Sequence, residues 1–220
     1  MFLFFSKGAS LTIVKTNPDF SIEQESGARF VVGVDEAGRG PLCGPVVAAA
    51  VMFPSCDIDI PVVIRDSKQM TQHQRAAAYD WITRNTKWAI GLCSPAEIDE
   101  LNILWASMRA MERAVENLGC ENVFCLVDGN RVPKNLNGSA VVKGDAKSLS
   151  IAAASIIAKE TRDKIMADLA CLFPEYAWDK NAGYPTKTHL QAIEKYGITV
   201  HHRKTFGPVK ERIKNEIKND

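Results

Sequence analysis

The sequence lacks any long apolar run. No stretch of its 220 residues reaches the roughly 18 consecutive apolar residues that a membrane-spanning helix needs. The apolar start Met1-Phe-Leu-Phe-Phe is shorter than the apolar part of a secretory signal, and no basic residue precedes it. We therefore expect a soluble, cytoplasmic protein with no membrane partner.

Cysteine occurs without the spacing of metal sites. The six cysteines are scattered with no Cys-x-x-Cys pair, and the two nearest ones, Cys120 and Cys125, have no histidine at zinc-ligand spacing. We expect free thiols in a reducing compartment.

A strong net charge is also lacking, since the formal charge is only +1. The distribution of charge is uneven, however. From Lys180 onward, nine Lys and Arg residues face four acids, a local excess of +5. A basic flank can bind a phosphate backbone, although on its own it is typical of an ordinary solvated surface.

Internal repeats and low-complexity tracts are absent, and the length fits one large domain. We divide the chain into a flexible N-terminal arm (1–28), a domain (29–208), and a charged C-terminal helix or tail (209–220). Short apolar runs predict strands at 30–34, 46–53, 88–93, 123–127 and 140–142. Helices are predicted over 97–118, 148–172 and 188–196, and from about 209. The fold class is α/β: a mixed sheet flanked by helices, with a small helical C-terminal region.

The helix over 97–118 has the clearest pattern. Ser94-Pro-Ala-Glu97 forms a capping box before it. Apolar residues then recur every three or four positions: Ile98, Leu101, Trp105, Met108, Met111, Val115 and Leu118. We expect Met108 and Met111 to be core residues.

Three acidic sites share one context, in which an apolar strand meets a glycine-containing turn. They are Val34-Asp35-Glu36, Val127-Asp128-Gly129 and Lys143-Gly144-Asp145. One such acid alone is typical of a turn. Three together favour a cluster, because strands of one sheet can end at the same edge.

Clustered carboxylates repel each other unless cations neutralise them, and hard oxygen ligands select Mg²⁺ or Mn²⁺. Two such ions about 4 Å apart can hydrolyse a phosphodiester, one activating water and the other stabilising the leaving 3′ oxygen. Asp35 and Glu36 are neighbours, which in a regular strand face opposite sides. We therefore expect the strand to leave regular geometry there.

The turn Gly38-Arg39-Gly40 has two interpretations. Its glycines allow positive φ in a tight turn, or they let a nucleic acid approach the backbone closely. The spacing is not that of a dinucleotide-binding loop, and Pro41 follows at once.

Several distinctive blocks follow one another along the chain. The first is Val34-Asp-Glu-Ala-Gly-Arg-Gly-Pro-Leu-Cys-Gly-Pro-Val-Val-Ala-Ala-Ala-Val51. The others are Asp66-Ser-Lys68, Asp99-Glu-Leu-Asn-Ile103, Val127-Asp-Gly-Asn130, Lys143-Gly-Asp145, Ser150–Lys159 with Thr161-Arg-Asp163, Gly183-Tyr-Pro-Thr-Lys187 and His202-Arg-Lys-Thr-Phe206. Together they cover about residues 30–208 and closely resemble the ribonuclease HII family. The N-terminal arm is too short for the additional domain of ribonuclease HIII.

The resemblance implies an RNase H-like fold and an endonuclease that cuts RNA in RNA–DNA hybrids and nicks 5′ to ribonucleotides embedded in duplex DNA, leaving 5′-phosphate and 3′-hydroxyl ends. It implies that the metal-binding, catalytic carboxylates are Asp35, Glu36, Asp128 and Asp145. It also implies that Gly38, Arg39 and Gly40 sense the ribose 2′-OH and that Tyr184 packs on the following deoxyribose. We expect a monomer.

Other residues carry weaker signals. Lys68 and Lys187 are candidate phosphate contacts, although isolated exposed lysines are usually not specific. Asp163 either reaches the site from its helix or, as we favour, forms a surface salt bridge. His201 and His202 are adjacent, which suits a basic surface better than a metal pair.

Two rival functions remain open at this point. One is a non-catalytic module that binds hybrids, against which the full set of carboxylates argues. The other is a nuclease or strand-transfer enzyme of the same fold that acts on all-DNA substrates.

Overall fold

A five-stranded sheet forms the centre of the molecule. In the computed structural model, which describes residues 17–219 and their side chains as far as residue 215, the strands are β1 (Val31–Ala37), β2 (Val46–Met52), β3 (Lys87–Cys93), β4 (Phe124–Asp128) and β5 (Gly138–Val141). Their order across the sheet is β3-β2-β1-β4-β5. β2 pairs antiparallel with both β1 and β3, whereas β4 pairs parallel with both β1 and β5. The predicted mixed sheet is confirmed.

Two long helices cover the two faces of this sheet. α3 (Pro95–Leu118) packs on one face, where Val32 and Val34 of β1 belong to its core cluster. α4 (Leu149–Leu172), together with α2 (Gln72–Asn85), packs on the other face. Small side chains in α4 allow a close approach: a Cβ at Gly33 would lie 2.0 Å from the Ser150 carbonyl carbon. The sheet is therefore buried on both sides, as a parallel centre requires.

Local sequence determines where these helices begin. The capping box predicted at Ser94 is present, with Pro95 in the first turn, and Gly119 ends α3 in the left-handed conformation. The Ser148 hydroxyl accepts from the Ile151 N–H at the start of α4. α2, which was not predicted from the sequence, begins with a second capping box between Thr71 and Gln74.

α3 departs from the predicted apolar stripe near its start. Asn102 has φ 64° and ψ 164° within the helix, and its side chain accepts from the N–H of Leu104, so that it caps the segment that follows. Met111 is buried and Met108 packs against the core, as predicted. The break leaves Leu101 and Trp105 exposed, so the expectation that they share this apolar face is wrong.

The C-terminal part builds a separate cluster beside the sheet. It contains α5 (Trp178–Asn181), α6 (Lys187–Tyr196) and α7 (Gly207–Asn219). Tyr176 and Trp178 stack at 4.9 Å between ring centroids and are fully buried there. α6 and α7 confirm the predicted C-terminal helices.

Residues 17–28 include a short helix. α1 (Ser21–Glu25) lies against the start of α4, where the buried Glu23 carboxylate accepts from the Ser148 hydroxyl and the Ser150 N–H. Residues 17–28, which the sequence analysis assigned to a flexible arm, contain this short helix, and Glu23 stabilises the positive end of the α4 dipole. Residues 1–16 of the predicted arm lie outside the described residues.

The structure also bears on the expectations for membrane helices and for cysteines. Within residues 17–219, no helix is both long and apolar enough to cross a membrane. All six cysteines are free, as expected, and three of them, Cys43, Cys93 and Cys125, are buried.

Candidate active site

Asp35 and Asp128 lie on two neighbouring parallel strands, just beyond the last residue pair that joins them. The ladder between β1 and β4 ends at the pair Val34–Val127, and each aspartate is the next residue on its strand. Because Val34 and Val127 both face the α3 core, the two aspartates face the opposite side, toward α4. Neighbouring strands lie about 4.8 Å apart, so the two carboxylates are close. Two of the acids that the sequence singled out therefore lie next to each other.

Glu36 reaches the same place without any break in its strand. The antiparallel ladder with β2 runs on in regular register to Ala37, so the expectation that β1 leaves regular geometry at the acidic pair is wrong. Only the β4 side of β1 is unpaired there. Asp35 and Glu36 nonetheless both line a cleft of about 340 Å³. The Glu36 side chain accepts a 3.2 Å hydrogen bond from the exposed Arg39 guanidinium.

Asp145 approaches from the loop after β5. It lies in a short 3₁₀ helix, Gly144–Ala146, whose first N–H donates to the Asp128 carboxylate at 2.7 Å. Burial raises the pKa of Asp145, and the nearby negative charges of Asp128 and Asp66 raise it further. The charge of Lys68 opposes this rise. The third predicted acid therefore lies within electrostatic reach of the second.

Burial and mutual repulsion mark the pair on β1. Burial raises the pKa of Asp35 well above its ordinary value, and Glu36 and then Asp128 add to the rise. The pKa of Glu36 is also raised by burial and by Asp128, with Arg39 opposing. Such a group of acids is destabilising when ionised unless cations neutralise it.

The donor set fits hard divalent cations, but its side chains are not gathered around one point. Among the described residues, no three Asp, Glu, His or Cys side chains are placed so that they could bind one ion. Glu36 accepts from Arg39, and Asp128 accepts from the Gly144 N–H. The ligands that the cluster offers are carboxylate oxygens, which suit Mg²⁺ or Mn²⁺.

A serine on α4 supports Asp35. The Ser155 hydroxyl interacts with the Asp35 carboxylate and lowers its pKa, against the larger effect of burial. Ser155 in turn lies 2.9 Å from the Ser67 hydroxyl, and both serines are buried. The Asp66-Ser-Lys68 block thus contacts the site through its serine as well as through Lys68, which lines the cleft.

The glycine-rich turn forms the far wall of the cleft. Gly38, Arg39, Gly40 and Tyr184 all line it. Tyr184 is half-exposed, and a Cβ at Gly40 would lie 3.3 Å from its ring. The structure therefore brings together the turn and the tyrosine that the sequence assigned to the ribose.

Lys187 and Asp163 do not line the cleft. Lys187 is exposed at the start of α6 and does not line the cleft, so the structure does not bring it to the site. Asp163 pairs with Lys159 one turn earlier in α4, which is the salt bridge favoured from the sequence.

The expected basic surface at His201 and His202 is wrong for His202, which is fully buried. Its Nδ1 accepts from the Thr199 N–H at 2.9 Å, and its Nε2 lies 3.2 Å from Nε2 of His189. Trp178 donates to that same His189 nitrogen, and His189 Nδ1 meets the Tyr184 carbonyl at 3.0 Å. Burial, aided by His189 and His201, lowers the pKa of His202 to about 4. The imidazole is therefore neutral and structural.

Two buried arginines beneath the turn were not found by sequence reasoning. Arg162 on α4 and Arg203 in the His-Arg-Lys-Thr-Phe block are nearly inaccessible to solvent and donate to carbonyls of residues 38–45. An arginine among apolar and small residues of a buried helix was the available signal for Arg162. For Arg203, no periodic pattern in the sequence gave a signal that it would be buried.

Comparison with known proteins agrees with this geometry. The family model for ribonuclease HII matches residues 32–209. The ribonuclease HII of Magnetococcus marinus is 53% identical over 89% of this chain and 95% of its own. The crystal structure of the ribonuclease H2 from Pyrococcus horikoshii superposes with a TM-score of 0.72 at 27% identity, over 86% of this chain and 100% of that one. Bst-RNase HIII in complex with Mn²⁺ shares the fold, with a TM-score of 0.65 at 17% identity over 96% of this chain and 77% of its own.

Proposed function

The chain belongs to the ribonuclease HII family, and on that basis we propose that it nicks duplex DNA on the 5′ side of an embedded ribonucleotide, besides hydrolysing the RNA strand of RNA–DNA hybrids. Its products carry 5′-phosphate and 3′-hydroxyl ends. The observation that carries the proposal is the position of Asp35 and Asp128 one residue beyond the last pair of two parallel strands, with Glu36 and Asp145 in electrostatic reach.

The four carboxylates are the ligands for divalent metal. The raised pKa values of Asp35, Glu36 and Asp145 follow from burial and from repulsion by neighbouring carboxylates, which bound cations relieve. Two Mg²⁺ or Mn²⁺ ions, when bound, would supply Lewis-acid chemistry at the scissile phosphodiester. A solved relative of the same fold was crystallised with Mn²⁺.

The chain's own residues position the substrate around this cluster. Ser155 holds the Asp35 carboxylate. Lys68, which lines the cleft, places its ammonium group where it can contact a phosphate of the substrate. Arg39 releases Glu36 and turns to the nucleic acid. Lys187, outside the cleft, contacts only a more distant phosphate.

The turn and Tyr184 select the ribose. Without side chains at positions 38 and 40, the sugar approaches the backbone of the turn, where a 2′-OH meets main-chain groups. The Tyr184 ring, in contact with Gly40, packs on the next sugar, and a 2′-OH there would crowd it. The site therefore reads a ribose followed by a deoxyribose.

A pair of matched duplexes tests the proposal. One contains a single ribonucleotide and the other is its all-DNA twin, and each is incubated with Mg²⁺, Mn²⁺ or EDTA. We expect one cut, 5′ to the ribonucleotide, only with a divalent ion, and none in the twin.

The two rivals predict different outcomes in the same experiment. A non-catalytic hybrid-binding module would retain the duplex without cutting it in either metal. A nuclease of broader specificity would cut the all-DNA twin. The monomeric state predicted from the sequence stays a prediction, which light scattering in solution would check.

A further inference from the structure

Arg162 and Arg203 are two buried cations with no ion-pair partner among the described side chains. Burying an unpaired guanidinium is costly unless dipoles solvate it. Here all but one of the carbonyl dipoles belong to the loop of residues 38–45, which leads from β1 to β2. The cost of two such burials needs a reason that ordinary packing does not supply.

Arg203 binds four carbonyl oxygens of this loop. Its guanidinium donates to Gly38 at 2.6 Å, to Arg39 and Gly44 at 3.0 Å, and to Pro45 at 3.2 Å. A planar fork of five N–H donors suits such a set, whereas an ammonium group would not span it.

Arg162 supports the same loop from α4. It donates to the carbonyls of Cys43 and Pro45, and to Ala182 next to the Tyr184 segment. It also occupies the space that a side chain at Gly38 would need, since a Cβ there would lie 2.1 Å from its Nε. Arg162 thus holds both the 38–45 loop and the segment that carries Tyr184.

These bonds determine where the N–H groups of the turn point. In a trans peptide, the N–H points opposite to the carbonyl of the preceding residue, and no peptide bond in the described chain is cis. Because the Gly38 and Arg39 carbonyls point inward to Arg203, the N–H groups of Arg39 and Gly40 point outward. Neither N–H donates to any group among the described residues. Two consecutive free N–H groups form an anion- and hydroxyl-binding concavity.

We propose that Arg203, assisted by Arg162, is a positioning residue for ribose recognition: it turns the Gly38 and Arg39 carbonyls inward so that the Arg39 and Gly40 N–H groups face the 2′-OH and its phosphate. This inference rests on the proposed function, because it explains how the turn reads a ribose. Arg203 itself does not touch the substrate.

The test measures binding preference separately from cleavage. In an Asp128→Asn background with Mg²⁺, Kd is measured for the single-ribonucleotide duplex and for its all-DNA twin, with and without Arg203→Lys. We expect Arg203→Lys to lower the preference for the ribonucleotide roughly tenfold, the equivalent of one hydrogen bond. Affinity for the all-DNA twin should change much less. Lys204→Gln, which removes a neighbouring exposed cation, is the matched control and should weaken both duplexes alike.

A second measurement does not depend on whether Arg203→Lys folds. In the protein with Arg203 intact, the backbone amide resonances of Arg39 and Gly40 should shift with the ribonucleotide duplex and much less with the all-DNA twin. An unchanged preference in a folded Arg203→Lys protein, or amides that respond equally to both duplexes, would overturn the inference. Failure of the proposed function is a different result, namely that the unsubstituted protein shows no metal-dependent cut at the ribonucleotide.

Discussion

Asp35 and Asp128 occupy equivalent positions on adjacent parallel strands, each one residue beyond the pair Val34–Val127. Antiparallel neighbours would place such residues at opposite ends of the ladder. The parallel step from β1 to β4, with α3 on one face and α4 on the other, is what makes two acids that are 93 positions apart in the numbering neighbours in space.

Removing one member of this pair should abolish chemistry without unfolding the protein. For Asp128→Asn, we expect Mg²⁺-dependent cleavage of a single-ribonucleotide duplex to fall by roughly 100-fold or more, since several kcal/mol of metal-derived stabilisation is lost. Cleavage is followed on denaturing gels, and circular dichroism checks folding. A near-normal rate would remove Asp128 from the metal site.

Relief of repulsion should make Asp35→Asn more stable when divalent ions are absent. Because the pKa of Asp35 is raised in the folded state, its ionisation destabilises the fold as pH rises through that value. At pH 7 in EDTA, Asp35→Asn should therefore raise the melting temperature by a few degrees, about 2–4 °C per kcal/mol for a chain of this size.

With Mg²⁺ present, the unsubstituted protein should become more stable than Asp35→Asn. Metal bound only by the folded protein stabilises the unsubstituted chain in proportion to its affinity, and Asp35→Asn should gain much less. Asp168→Asn, at an exposed position of α4, is the control and should behave like the unsubstituted protein in both conditions. Equal responses of Asp35→Asn and the unsubstituted chain to Mg²⁺ would argue against a metal ligand at position 35.

His202 should make the protein sensitive to mild acid. Its pKa is lowered from 6.5 to about 4 by burial, so the unfolded state takes up a proton between those values while the folded state does not. Stability is therefore complete above pH 6.5 and falls by about 3 kcal/mol as pH drops toward 4.

The measurement is the pH dependence of denaturant unfolding. His202→Asn keeps an acceptor for the Thr199 N–H and should show a flatter profile between pH 6.5 and 4 despite a lower overall stability. His73→Asn removes an exposed histidine and should leave the profile unchanged. If His202→Asn keeps the full slope, another group titrates in this range.

Gly38→Ala should cost more than its backbone angle alone explains. Gly38 has φ +94° and its Cβ position meets the Arg162 side chain, whereas Gly129 has φ +104° with nothing within 4 Å. Alanine at either position incurs strain of about 1–3 kcal/mol. Thermal unfolding should show Gly38→Ala to be the less stable of the two, because a buried guanidinium must also move. Equal losses would mean that Arg162 adjusts freely.

Tyr184 should matter for selectivity more than for affinity. Its ring is half-exposed beside Gly40, so Tyr184→Ala should reduce cleavage at a single ribonucleotide by more than it reduces affinity for DNA. Tyr184→Phe keeps the ring and should retain most activity, because packing on a sugar does not need the hydroxyl. Parallel losses of cleavage and DNA affinity in Tyr184→Ala would instead indicate a general contact.

The parts of this protein that sequence predicted are those with a local physical signature. The capping box at Ser94, the apolar period of α3 from Met108 onward and the short apolar strands appear as expected, because capping and periodicity depend on residues a few positions apart. The acids at 35, 128 and 145 were recognisable because each follows an apolar run and lies before or within a glycine-containing turn.

Tertiary structure alone decided the rest. It kept β1 regular through Ala37 by pairing it with β2, left its other edge open, and so brought both Asp35 and Glu36 to one cleft. It buried Arg162 and Arg203 under the turn and His202 against His189, none of which a surface-charge pattern predicts. The reason is that these groups are stabilised by carbonyls and rings far away in the chain, so their environment exists only once the sheet, α4 and the C-terminal helices have packed together.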